Sequence, residues 1–159
     1  MHTSGSKIAI LFLLSIFMAS SSCGKYENVI PDTCVDFTIN FGDPEFFNLL
    51  AAGNSVVVTK STFNNLCSAG FGDNGIIVYN SGEDYYAYDR TCPYCYKVGG
   101  LSIAVVIDGI YAVCPECKTN YALPSFGTPT KAGPGQYMLK NYRTRLEGYN
   151  NLRVWNPGY

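Results

Sequence analysis

Four cysteines carry the chemistry this chain can offer. Cys92 and Cys95 form one pair and Cys114 and Cys117 a second, in a C-x2-C-x18-C-x2-C pattern. That spacing is a metal-site signal, because each short turn presents two thiolates and a hairpin between the turns brings the pairs together. Four sulfurs suit tetrahedral zinc, a single iron or an iron–sulfur cluster. In an oxidising compartment the same thiols could instead close as two disulfides that staple the loops, and the spacing leaves both outcomes open.

The chain has three further cysteines. Cys34 and Cys67 have no local partner and are candidates for a disulfide with each other. Cys23 follows a segment with the build of an export signal: Lys7, an apolar run from Ile8 to Ala19, and the small residues Ser20-Ser21-Ser22. The run is too short for a membrane-spanning helix. Ser21-Ser22-Cys23 resembles the end of a bacterial lipobox, although Ser20 stands where Leu is commoner. The reading is a lipoprotein-type signal over residues 1–22, lipidation at Cys23, a tether over 23–33 and one domain over 34–159. The resemblance implies a protein held to a membrane of the bacterial cell envelope by lipid, without spanning it.

The single histidine, His2, lies inside the signal. The exported chain would therefore lack any imidazole ligand, base or acid. No nucleophile–base pair and no phosphate-binding glycine loop is visible, so an enzyme is not expected. Net charge is −1 with no basic run, which speaks against a nucleic-acid partner.

The elements that must position the four cysteines read as short strands. Val35, Phe37, Ile39 and Phe41 alternate with polar residues, the period of a half-buried strand. Asp43-Pro44-Glu45 starts a short helix near residues 43–52, with Phe46, Phe47, Leu49 and Leu50 on one side. Strands are expected at Ser55–Lys60, Gly75–Tyr79, Tyr85–Asp89, Ile103–Ile107, Ile110–Val113, Tyr137–Arg145 and Leu152–Trp155. A polar loop over 61–74 and a Gly/Pro-rich loop over 124–136 interrupt them. Asp108-Gly109 is a two-residue hairpin signal. Many short strands with turns between them indicate an all-β barrel or sandwich.

At the cysteines the chain resembles the Rieske iron–sulfur superfamily, whose two metal loops carry C-x-H and C-x-x-H around a hairpin. The matching residues are Cys92, then Cys114-Pro115-Glu116-Cys117-Lys118-Thr119-Asn120-Tyr121, Gly127 and Gly133-Pro134-Gly135. The strand Tyr85–Thr91 enters the first loop. The resemblance covers residues 75–156 and, more loosely, starts at Val35. It implies a Rieske-like β-barrel or sandwich with a metal-binding subdomain of two Cys loops. It also implies supporting roles around the centre for Thr119, Tyr121 and Pro134. The departures are chemical. Tyr94 stands at the first histidine position with Cys95 one residue later, Cys117 at the second, and Lys118 where the family has Gly. An all-cysteine [2Fe–2S] cluster, implied by the family, would have a potential on the order of −400 mV. Zinc, a single iron or no metal are the alternatives.

Two functions follow. One is a membrane-anchored Rieske-like electron-transfer protein with a four-cysteine centre and a redox partner in the envelope. The other is a structural or binding module of the envelope that keeps the fold with zinc or disulfides and no redox role. Cys92-Pro93-Tyr94-Cys95 also spells the glutaredoxin motif. That chemistry needs a helix starting at Cys92, whereas Gly99-Gly100 and the strand-like Ile103–Ile107 are expected to follow.

Overall fold

The computed structural model describes residues 27–158. The signal segment and Cys23 lie outside the described residues. Ten strands form two antiparallel sheets: β1 (Asp36–Asn40), β2 (Ser55–Val58), β3 (Ile76–Asn80), β4 (Tyr85–Asp89), β5 (Val106–Asp108), β6 (Tyr111–Val113), β7 (Asn120–Ala122), β8 (Thr128–Pro129), β9 (Asn141–Glu147) and β10 (Asn151–Trp155). The larger sheet has the order β1-β10-β9-β4-β3-β2 and the smaller one the order β5-β6-β7-β8. The expected class is observed: all-β, with a small subdomain that carries both Cys loops.

The apolar run Ile76-Ile77-Val78-Tyr79 explains how the sheets share one body. Every residue of β3 is buried. Side chains alternate across a strand, so Ile76 and Val78 enter a core with Phe37, Ile39, Phe46 and Leu152. Ile77 and Tyr79 enter a second core with Tyr88, Val105, Tyr121, Leu139 and the cysteines. β3 is thus the wall between the main core and the site's own core.

The larger sheet leaves β1 and β2 as its edges. Cys34, just before β1, is bonded to Cys67, in the connection that leaves β2, with the Cα atoms 4.8 Å apart. The disulfide therefore ties together the chain segments flanking the two edge strands. Residues 61–74 are more ordered than the expected polar loop. One helical turn, α1 (Lys60–Phe63), carries a Thr59/Thr62 capping box, and two 3-10 turns follow. Phe63 stacks on Phe37 and Phe46 and so fastens this segment to the main core.

The expected helix near 43–52 is a 3-10 helix, Pro44–Leu50. It buries Phe46 and Leu49 and leaves Phe47 and Leu50 exposed. The hairpin turn is shifted by one residue. Asp108 pairs with Tyr111, so Gly109 and Ile110 form the turn, with Gly109 at φ 58°. The strand expected over Ile103–Ile107 begins only at Val106. Its first half bonds elsewhere, with Cys92 N–H donating to Ile103 O and Val105 N–H to Arg90 O. Similarly, β9 starts at Asn141 rather than Tyr137, because Leu139 N–H donates to Gly127 O. β7 and β8 arise in stretches without strand patterning, where pairing of β7 to β6 and of β8 to β7 supplies the order.

Residues 27–33, within the expected tether, have no regular structure. Ile30 is nevertheless buried. The ammonium of Lys140, itself only 2% exposed, donates to Ile30 O, Pro31 O and Asp32 Oδ1. Asn156 adds bonds to Asp32 Oδ1 and Thr33 O.

Candidate metal centre

The first cysteine loop leaves β4 and turns at once into a two-turn helix, α2 (Pro93–Gly99). Cys92 is its N-cap and Pro93 its first residue, the position where a missing N–H costs nothing. Gly100 closes it in the left-handed conformation at φ 67°. This helix corrects the expectation of a break and strand after Cys92. The tight start puts Cys95 one turn above Cys92, so both sulfurs face the same side.

The second loop leaves β6 and returns as β7. Cys114 N–H donates to Thr119 O, and Lys118 N–H donates to Cys114 O at 3.0 Å. Lys118 takes φ 61° to complete the turn. A glycine would take this left-handed conformation without steric cost.

The two loops bring the four sulfurs within 4.8 Å of one another. The nearest contacts run between loops: Cys92 Sγ to Cys117 Sγ at 3.7 Å and Cys95 Sγ to Cys114 Sγ at 3.6 Å. All four thiols are unbonded, with Cys92, Cys95 and Cys114 buried and Cys117 half-buried. Such a group can hold a metal ion. A tetrahedral ion with metal–sulfur bonds of about 2.3 Å separates its sulfurs by about 3.8 Å, close to both inter-loop contacts. The donor set therefore fits a metal without rebuilding either loop.

The surroundings supply hydrogen-bond donors. Tyr121 OH lies 3.2 Å from Cys92 Sγ. Burial, and then the bond to Cys92, push the Tyr121 phenol pKa upward, so it stays protonated and donates to a thiolate. Thr119 Oγ1 lies 3.2 Å from Cys117 Sγ. Burial pushes the Cys92 thiol up to about 11, against the Cys95 N–H and the Tyr121 hydroxyl. Burial also pushes Cys95 up, reinforced by Cys114 and Cys117. Burial acts the same way on Cys117, but the hydroxyl and N–H of Thr119 outweigh it and bring that thiol down to about 7. Cys92 at a helix N-terminus is thus not an acidic, exposed nucleophile, and the glutaredoxin-type reading has no support in this environment.

The Gly/Pro loop reaches the centre through its glycines. A Cβ on Gly133 would stand 2.5 Å from Thr119 Cα, and one on Gly135 would collide with the Thr119 side chain. Gly135 N–H donates to Thr119 Oγ1 at 3.0 Å. Pro134 itself is exposed. Tyr94, at the first histidine position, packs partly buried beside the site core and is not among the grouped ligands. Of the other nearby tyrosines, Tyr88 lies fully buried in the site's core and bonds Leu123 O, while Tyr85 stacks on Phe41 in the main core. Sequence patterning had no means to flag Lys140 or the glycine contacts, since both are set by chain crossings distant in sequence.

Neither a protein-family profile nor a curated protein matches the chain. Among solved structures it is similar to a chain in the complex of reduced oxygenase and oxidized ferredoxin in carbazole 1,9a-dioxygenase. That match has 16% identity and a TM-score of 0.47, covering 77% of this chain and 94% of the other. It is also similar to the ferredoxin of carbazole 1,9a-dioxygenase from Nocardioides aromaticivorans IC177. There the identity is 17% and the TM-score 0.39, with 64% of this chain and 97% of the other covered. Within the chain itself, one cysteine pair follows β4 of the larger sheet and the other lies between β6 and β7 of the smaller one, and the two meet as one group.

Proposed function

We propose that this is a lipid-anchored protein of the bacterial cell envelope whose Rieske-like domain holds one tetrahedral metal ion on Cys92, Cys95, Cys114 and Cys117. The observation that carries this reading is the close approach of all four sulfurs, within 4.8 Å of one another. A [2Fe–2S] cluster needs room for two irons and two sulfides between its ligand pairs. In a Rieske centre one iron takes both cysteines and the other both histidines. Here the nearest pairs, Cys92 with Cys117 and Cys95 with Cys114, each join a cysteine that matches a family cysteine to one that does not. That pairing favours a single ion over a partition between two.

The Cys34–Cys67 disulfide supports an oxidising compartment, and four unpaired thiols in the same chain then call for a protecting metal. Zinc fits best, because four thiolates complete its coordination and leave no open position for catalysis. The ion would lock the two loops and make the domain a structural or binding module. A second reading, a single iron carrying one electron, is favoured by one observation: Cys117 is half-buried and gives the centre a sulfur at the surface.

The test is metal content and visible absorption of the protein purified without chelators. One zinc per chain and no colour supports the structural reading. One iron without inorganic sulfide, with thiolate-to-iron absorption bands, supports electron transfer. Two irons with two sulfides would overturn the single-ion reading.

A further inference from the structure

We infer that the metal-centre end of the domain lies against the lipid bilayer, with Val98 and Leu101 as the side chains that meet it. This rests on the lipid-anchor reading of Cys23. Lys140, 2% exposed, holds Ile30, Pro31 and Asp32 by three bonds, and Asn156 holds Asp32 and Thr33. The exit point is therefore fixed rather than swivelling. Upstream, Glu27 Oε1 pairs with Lys97 Nζ at 2.5 Å. Lys97 belongs to α2, the helix that begins at Cys92 and carries Cys95.

Chain length then limits the distance to the membrane. Cys23 lies four positions before Glu27, and a fully extended chain spans at most about 3.6 Å per residue. The lipid-bearing Cα is thus within about 14 Å of the Glu27 Cα, beside α2. Directly after Lys97, Val98 is 69% exposed, and Leu101, just beyond the helix cap, is 50% exposed. The chain presents two uncovered aliphatic side chains at the end of the molecule nearest its own anchor. A bilayer is the surface that the anchor necessarily brings there. The opposite end is marked by Tyr149, fully exposed in the turn between β9 and β10. In the β1–β10–β9 ladder, Lys140 and Asp32 flank one end and that turn closes the other.

The test uses tryptophan depth. The full chain is produced in a bacterium that processes lipoproteins, with W155F removing the one native tryptophan. V98W, L101W and Y149W are then made singly, and each lipoprotein is placed in phosphatidylethanolamine–phosphatidylglycerol vesicles with or without brominated acyl chains. Metal content and far-UV circular dichroism confirm that each variant is folded. Quenching at positions 98 and 101 several-fold above that at 149 is expected. Equal quenching, or quenching at 149 alone, overturns the orientation while leaving the anchor intact. Mass spectrometry of the extracted chain separates the two failures: an unlipidated Cys23 overturns the anchor reading itself, and the orientation with it.

Discussion

The hydroxyl oxygen of Thr119 stands 3.2 Å from the sulfur of Cys117 while accepting the Gly135 N–H at 3.0 Å. One side chain thus joins the half-buried cysteine to the Gly/Pro loop. With its acceptor side occupied by Gly135, the hydroxyl is set to donate its proton to a Cys117 thiolate. Removing that donor in Thr119→Val should weaken metal binding about 10-fold or more, and Thr119→Ser should restore most of it. Competition with a chromogenic chelator at fixed pH measures this. Unchanged affinity in Thr119→Val would show the contact to be packing alone.

The four-thiolate set predicts a strong dependence of the fold on metal. Three of the ligands lie in the buried core shared by Tyr88, Tyr121 and Leu139. Chelation, or Cys114→Ser, should remove the metal and lower the melting temperature by about 10 °C, equivalent to roughly 3 kcal/mol for a domain of this size. Calorimetry with parallel metal analysis checks it. A Cys114→Ser variant with full metal content and stability would refute the site.

Alkaline pH should destabilise the metal-free, reduced protein. Burial raises Cys92 to about 11 from an ordinary 9.0 and raises Cys95 as well. Groups with a raised folded pKa stay protonated in the fold but ionise when unfolded, so the unfolded chain releases protons first. The contribution of these two thiols is then intact below about pH 9 and falls as pH rises above it, between 9 and 11 for Cys92, whereas Cys117, brought down to about 7, contributes stability that is lost as pH falls from 9 through 7. Metal loading deprotonates these thiols in advance, so the loaded protein should lose less over the same window. Urea unfolding of both forms across that range tests the difference, and parallel slopes would count against it.

Lys118 occupies a left-handed position, at φ 61°, that a Gly would adopt without steric cost. Lys118→Gly should therefore stabilise the loop by up to about 1 kcal/mol, the side-chain penalty less the extra flexibility of Gly when unfolded. Its bond from Nζ to Pro115 O is exposed and offsets little. Thermal unfolding of the loaded variant decides the sign. A clear loss of stability would mean that the lysine side chain holds the turn.

The Cys34–Cys67 disulfide spans 33 residues and links segments flanking the two edge strands. Replacing both cysteines by Ala should cost about 3–4 kcal/mol from loop-closure entropy. It should leave metal binding unchanged, because the four ligands belong to the other core. Denaturant titration and metal content, measured on the same sample, separate the two effects.

The sequence by itself determined the four candidate ligands, the class of fold and the strands of the larger sheet. The paired C-x2-C spacing is local, since each turn needs only its own four residues. The alternation in Val35–Phe41 and the apolar run at Ile76–Tyr79 are likewise local records of burial. The α2 helix was not legible, because Cys92-Pro93-Tyr94-Cys95 is too short for a periodic pattern and its Gly99-Gly100 end reads equally as a loop. β7 and β8 carry no strand period of their own and exist through pairing, β7 with β6 and β8 with β7. Tertiary structure alone decided the separation of the four sulfurs, which depends on how α2 and the β6–β7 turn meet over a core that β3 walls off. That distance, not the residue types, is what supports the proposed single ion over a two-iron cluster. It likewise decided that Lys140, which reads as an ordinary strand lysine, holds the chain's entry into the domain, because its three acceptors lie more than a hundred residues away in sequence.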